Sequence, residues 1–301
     1  MEFAKIPGII FLTVLDLIKP EIMGKNVMLL TGAGQIGMAI ARRMGFGMKI
    51  IIGDKKIENA ENISEIMNRS GFDTFPLQTD ISSRESILHT ISLAQSFGNI
   101  HMFVNAAGVS PSQASIETIL RVDLYGTAVL LEEVGKAIAP SGVGVTISSQ
   151  SGHRYPALTP EEDRLLATTP SDRLLELPFL NAQIISDSLK AYQMAKRCNV
   201  KRVMYEAVKW GEKKARINSI SPGIIVTPLA LDEFNGPRGD FYKTMFQKCP
   251  AGRPGAADEV ANVAELLMSH KGAFITGADI LIDGGATASY FYGPLQSGET
   301  K

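Results

Sequence analysis

Cysteine is scarce in this chain: Cys198 and Cys249 are the only two. One disulfide is formally available, but neither residue has a CxxC neighbour or a metal-ligand spacing. Two reduced thiols suit a cytoplasmic protein, so a cytoplasmic location is expected. Histidine is sparse too, four scattered residues without a zinc pattern, and no metal is expected. There is no excess of one charge. The formal net charge is −1, and the basic clusters are as short as Lys55-Lys56 and Lys213-Lys214. No basic field therefore argues for nucleic acid or an acidic membrane surface. The apolar run Ile9–Leu15 is too short for a spanning helix, which needs ~20 residues. Asp16 interrupts it, only Lys5 precedes it as a base, and no small-residue cleavage site follows. Residues 1–24 read as an amphipathic extension packed on the domain or on a neighbouring subunit, with a membrane-surface anchor as the alternative. No Pro/Gly-rich linker divides the chain, and no repeat or low-complexity tract is present.

What is present is alternation. Apolar residues make up 45% of the 301, enough for a large core. Short apolar runs recur at Val27–Leu30, Met48–Ile52, Phe72–Leu77, Ile100–Val104, Val143–Ile147, Ile217–Ile220 and Ile280–Ile282. Stretches of helical period lie between most of them, at 35–46, 57–69, 82–97, 113–138, 183–212 and 256–269. Buried strands alternating with helices predict an α/β fold: a Rossmann-like, doubly wound parallel sheet of about seven strands with helices on both faces. One domain over 25–288 is expected, followed by a tail, 289–301.

One block breaks the alternation. His153–Leu180 carries Pro156, Pro160, Pro170 and Pro178 among short helical pieces. It follows the carboxyl end of a strand, the edge where ligands bind in such sheets. Residues 153–190 are thus a candidate substrate lid, and an oligomer contact or surface decoration is the competing reading. Leu158, Leu165, Leu166, Leu174, Leu175, Leu177, Pro178 and Phe179 would line a bulky apolar cleft, or else form the insertion's own small core.

The first strand runs into Thr31-Gly32-Ala33-Gly34-Gln35-Ile36-Gly37, a GxGxxG that opens a helix. Gly32 permits a tight turn, Gly34 lets the backbone approach a pyrophosphate, and Gly37 lets helix and strand pack closely. Free N–H groups at the helix start, from Gln35 and Ile36 onward, favour phosphate. Asp54 follows Gly32 by 22 positions, near the spacing of about 20 at which a carboxylate meets the ribose hydroxyls. It would repel a 2′-phosphate, so NAD is expected over NADP, although Lys55 and Lys56 offset part of that repulsion.

Tyr192 and Lys196, at i and i+4, share one helix face. An ammonium beside a phenol stabilises the phenolate and suits it to exchange a proton with a carbonyl oxygen. Alone, the spacing is common on surface helices.

In this company the chain resembles the short-chain dehydrogenase/reductase family over roughly residues 25–288. Thr31–Gly37 looks like its glycine turn. Asp80, with Ile81 beside it, matches the family's adenine contact. Asn105-Ala106-Ala107-Gly108 matches the motif ending the fourth strand. Ile147-Ser148-Ser149 matches the serine-bearing fifth strand, Tyr192 and Lys196 match the catalytic pair, and Asn218–Gly223 with Thr227-Pro228 matches the loop over the nicotinamide. Thr276-Gly277 and Asp283-Gly284-Gly285 match the C-terminal strand region.

The resemblance implies that Ser149 holds the substrate oxygen. Tyr192 is the acid/base, and Lys196 binds the nicotinamide ribose while tuning Tyr192. Pro222, Gly223, Ile225 and Thr227 would fix the carboxamide and pyrophosphate. It also implies a homo-oligomer, tetramer or dimer.

Three features depart from the family. The glycine turn is one residue short of TGxxxGxG. Asp123 stands where many members carry an active-site asparagine, a position that places a charge near Lys196. And 43 positions separate Ser149 from Tyr192, a surplus shared with some carbonyl reductases and 3α-hydroxysteroid dehydrogenases.

The expected activity is NAD(H)-dependent interconversion of a secondary alcohol and a ketone, on a bulky alicyclic or steroid-like small molecule. The short glycine turn leaves a sugar-nucleotide epimerase or dehydratase as an alternative. Asp123 leaves a non-catalytic nucleotide sensor as another.

Overall fold

Val27, Met28, Leu29 and Leu30 are all fully buried. A strand with one wet face cannot bury consecutive residues; a strand covered on both faces does. The computed structural model describes residues 26–181, 184–236 and 239–296. Its strands are β1 (Asn26–Thr31), β2 (Lys49–Asp54), β3 (Asp73–Gln78), β4 (Asn99–Asn105), β5 (Val143–Ile147), β6 (Arg216–Pro222) and β7 (Asp279–Ile282). They form one parallel sheet in the order β3-β2-β1-β4-β5-β6-β7. Each coincides with one of the predicted apolar runs. Pro76, which cannot donate to a ladder, sits in the edge strand β3.

The principal helices are α1 (Gln35–Met44), α2 (Ile57–Asn68), α3 (Arg84–Phe97), α4 (Thr127–Ala137), α5 (Pro160–Thr168), α6 (Ser188–Gly211), α7 (Pro228–Asn235), α8 (Gly239–Lys248), α9 (Ala257–Met268) and α10 (Ala286–Tyr292). Side chains of α1, α2 and α9, such as Ile40, Ala60 and Val260, fill one core with one face of the sheet. Those of α3, α4 and α6, such as Ile87, Val129 and Trp210, fill the other. The doubly wound fold follows, with the chain reversing direction across the sheet between β1 and β4.

The structure departs from one expectation and adds detail to three others. The predicted helix 113–138 is not uniform: a turn at Ile116–Ile119 leads into a π-type segment, Leu120–Gly126, before α4. The stretch between β6 and α9, unassigned by periodicity, holds α7 and α8. The tail 289–301 is folded where it is described, because Ser289 of α10 is buried and donates to the Lys248 carbonyl at 2.7 Å.

Lastly, the leucines of the candidate lid do not wall a cleft. Leu166, Leu174 and Leu180 pack with Ile119, Leu124, Met194 and Cys198 in a third core on the flank of α6. Asp163 forks Arg197 of α6 at 2.9 and 2.7 Å and fixes the insertion there. The extension 1–24 lies outside the described residues. Cys198 and Cys249 are free and buried, and burial pushes the Cys198 thiol up to about 12.

Candidate active site

The glycine turn lies where β1 meets α1. Gly32 has φ +89°, and a Cβ there would come within 2.4 Å of the Ala107 backbone nitrogen, so the turn closes tightly on the end of β4. Gly34 faces open space, where a Cβ would meet nothing within 4 Å. It caps α1 with no side-chain hydrogen bond, and the first turn of α1 holds no acidic residue. The helix start therefore offers free N–H groups with no competing anion, which fits a pyrophosphate.

Asp54 ends β2 beside this turn. Its carboxylate accepts from Ala33 N at 2.9 Å, Lys56 N at 3.0 Å and Asn59 Nδ2 at 3.2 Å. Lys55, expected to soften that negative charge, pairs instead with Asp80 at 3.1 Å. Burial would raise the Asp80 carboxyl, but Ser82 and Lys55 outweigh it and hold it below the usual range. Asn105 and Ile81 are buried. The Asn105 amide accepts from Thr31 Oγ1 at 3.0 Å and donates to Thr127 Oγ1 at 3.3 Å, so its side chain ties the strand ends together.

The chemistry-bearing residues meet at the carboxyl end of β5. Ser149, Tyr192 and Lys196 line one cavity of about 590 Å³, together with Ile36, Ala106, Gly108, Pro222, Gly223, Ile225 and Thr227. Lys196 is 5% exposed and Asp123 is 0% exposed. Their charges lie 3.6 Å apart, and Lys196 Nζ is 5.2 Å from the centre of the Tyr192 ring.

Burial opposes the lysine's charge. The Asp123 carboxylate and the Tyr192 phenol outweigh it, so the ammonium holds its proton above the ordinary lysine range. Burial pushes the Asp123 carboxyl up, against the pull of Lys196 and of the Val109 N–H, which donates to Oδ1 at 3.1 Å. The other oxygen, Oδ2, is buried without a hydrogen-bond partner among the described residues.

Two contacts fix α6 against β5. Ser148 Oγ donates to the Lys196 carbonyl at 2.8 Å, which gives this neighbour of Ser149 a structural task. Gly152 lies so close to α6 that a Cβ would come within 2.7 Å of Arg197 N. Ser149 Oγ accepts from Ser151 N at 3.1 Å.

The far wall of the cavity was not legible in the sequence. It comprises Arg154, Leu189 and Gln193, then Phe234 of α7, Phe241 and Met245 of α8, and Tyr290 of α10. Of the candidate lid 153–190, Arg154 and Leu189 reach the cavity. The i, i+4 spacing of Phe241, Met245 and Cys249 was a usable helical signal for α8. Tyr290 carried none, since a short aromatic run near a terminus has no marked period. Among the described residues, no cluster of three or more His, Cys, Asp or Glu could hold a metal.

Residues 26–160 match the family described as short chain dehydrogenase, and residues 162–287 the family described as enoyl-(acyl carrier protein) reductase. The chain is similar to the short-chain dehydrogenase/reductase bsc3 of Alternaria brassicicola: 38% identical, covering 88% of this chain and 97% of the relative. D-threitol dehydrogenase of Mycolicibacterium smegmatis is 30% identical, covering 87% and 93%. A solved short-chain dehydrogenase/reductase from Serratia marcescens shares the fold with a TM-score of 0.68 at 22% identity, over 88% of this chain and 98% of that one.

Proposed function

The chain belongs to the short-chain dehydrogenase/reductase family, enzymes that interconvert alcohols and ketones with NAD(P), and we propose that it does so with NAD(H) by proton exchange through Tyr192. The carrying observation is that Ser149, Tyr192 and a buried, charge-paired Lys196 line one cavity beside the glycine turn. In reduction Tyr192 gives its proton to the carbonyl oxygen, and in oxidation it takes the proton from the hydroxyl. The Lys196 charge favours the phenolate that remains, and Ser149 hydrogen-bonds the same oxygen as negative charge develops on it. Asp123 acts through Lys196, holding its proton and position.

When bound, the nicotinamide supplies or accepts the hydride. Gly34, Gln35, Ile36 and Gly37 at the start of α1 would hold the pyrophosphate, and Asp54 the adenosine ribose hydroxyls. Asp80, Ile81 and Lys55 would flank the adenine. Ala106 and Gly108 would back the nicotinamide ribose, which Tyr192 and Lys196 reach. Pro222, Gly223, Ile225 and Thr227 would fix the carboxamide. With Lys55 drawn to Asp80, the Asp54 charge stands against a 2′-phosphate, which supports NAD over NADP. Leu189, Phe234, Phe241 and Met245 give the substrate end an apolar wall, which supports a cyclic secondary alcohol or ketone.

The epimerase or dehydratase and the nucleotide sensor gain no support from these family matches. A panel of cyclic ketones and secondary alcohols, followed by NADH and NADPH absorbance, tests the assignment. Turnover of none of them with either cofactor overturns it.

We extend the proposal to a cytoplasmic homo-oligomer. Among the described residues no helix is long and apolar enough to cross a membrane. Leu281 on the edge strand β7, Phe274, and Met204 and Val208 of α6 are exposed, and apolar surface of this kind supports self-association. Sedimentation equilibrium should give a dimer or tetramer, and a monomer at micromolar concentration counts against it.

A further inference from the structure

Two cations line the cavity, and they are provided for differently. Lys196 has Asp123. Arg154 has no ion pair among the described residues. Its Nη2 donates to Ser151 Oγ at a long 3.3 Å, and its Nε is buried without an acceptor. The guanidinium lies over the Tyr290 ring, 5.5 Å from its centre. The carboxylate acting on it electrostatically, Asp283, is engaged by Gly285 N at 2.9 Å and Thr287 N at 2.7 Å, and its other electrostatic neighbours are the phenols Tyr290, Tyr242 and Tyr192.

Other arginines that leave the surface find acceptors away from any cavity, and Arg202, whose Nε is likewise without one, donates Nη1 to the carbonyls of Leu166 and Thr169 at 3.4 and 2.6 Å. Arg197 forks Asp163, and Arg216 donates to the carbonyls of Leu267, Gly272, Ile275 and Ser269. Arg154 alone of these faces the substrate cavity, whose described lining contains no Asp or Glu.

We propose that Arg154 is a specificity-determining residue that binds a carboxylate on the substrate, making the substrate a cyclic hydroxy acid or the matching oxo acid. The proposal rests on the alcohol/ketone reading of the site. A planar guanidinium presents parallel N–H groups that match the two oxygens of a carboxylate. Attraction to the face of the Tyr290 ring favours keeping the cation at the cavity wall. Leu189, Phe234, Phe241 and Met245 then enclose the ring that separates the acid from the reacting carbon. Burial lowers the guanidinium's affinity for its proton, so its charge gains from a partner that arrives with the substrate.

The test compares 4-oxocyclohexanecarboxylate with 4-methylcyclohexanone as substrates with NADH. In parallel, calorimetry measures the binding of cyclohexanecarboxylate to the NAD-bound protein. The wild type should favour the charged ketone at least tenfold in kcat/KM. Arg154→Gln should cut that ratio, and the affinity for cyclohexanecarboxylate, tenfold or more. Arg154→Lys, which keeps the charge without the fork, should fall between the two.

Equal losses on both ketones would mark Arg154 as merely structural and overturn the proposal. So would a wild type that does not bind cyclohexanecarboxylate, or an Arg154→Gln protein that binds it as the wild type does. If neither ketone is reduced, the full panel with both cofactors decides the alcohol/ketone reading, and calorimetry still decides the arginine.

Discussion

At the scale of single residues, the Asp123–Lys196 pair has the most to say about pH. Replacing Asp123 by Asn removes the carboxylate that offsets burial. Lys196 then sheds its proton at lower pH, and the alkaline limb of the kcat/KM profile should move down by about one unit. A limb that stays in place would show that the pair does not govern the step. Tyr192→Phe keeps the ring and removes the proton. Turnover should fall by ~10²-fold or more, while calorimetric NAD binding changes little; brisk turnover by this variant would refute the proton path.

Tyr192 and Lys196 were legible only in the company of the glycine turn and Asp54, and Ser149 only through the family resemblance, because a lone i, i+4 pair or a strand-end serine carries little by itself. Arg154 was not legible, because its meaning lies in what fails to surround it, and no local pattern encodes a missing partner.

Elements differed in how openly the sequence declared them. All seven strands could be read, because a doubly covered strand is rich in apolar residues, even where β6 also buries Asn218, Ser219 and Ser221. The π-type segment at Leu120–Gly126 could not, since one extra residue per turn leaves the apolar spacing almost unchanged. That segment nevertheless carries Asp123.

The insertion's leucines allowed two arrangements, and tertiary packing chose the flank of α6. Leu166, fully buried there, should therefore matter for stability. Leu166→Ala is expected to lose about 2–5 kcal/mol in urea unfolding, with the order of preference across the ketone panel unchanged. A reordered panel with unaltered stability would return the insertion to the role of substrate wall.

On the scale of the whole molecule, cofactor binding and folding are linked. NAD at about 100 times its Kd should add about 2.7 kcal/mol and raise Tm by roughly 5 °C or more. NADP should give a smaller rise, and Asp54→Ala should bring the two rises together. Equal rises in the wild type would mean that Asp54 does not meet the ribose.

The neighbouring of β1 and β4 has a further consequence, for the order in which the molecule can form. Thr31 meets Asn105, 74 residues later in the chain, so as the chain leaves the ribosome β1 can pair with β2 long before β4 emerges. Through that interval Val27–Leu30, apolar at every position, has one hydrogen-bonding edge uncovered, and such an edge invites pairing with other chains. The nucleotide turn cannot be set until β4 closes that edge, because Gly32 is packed against Ala107. The setting of the phosphate turn and the covering of the β1 edge therefore arrive in the same step of synthesis.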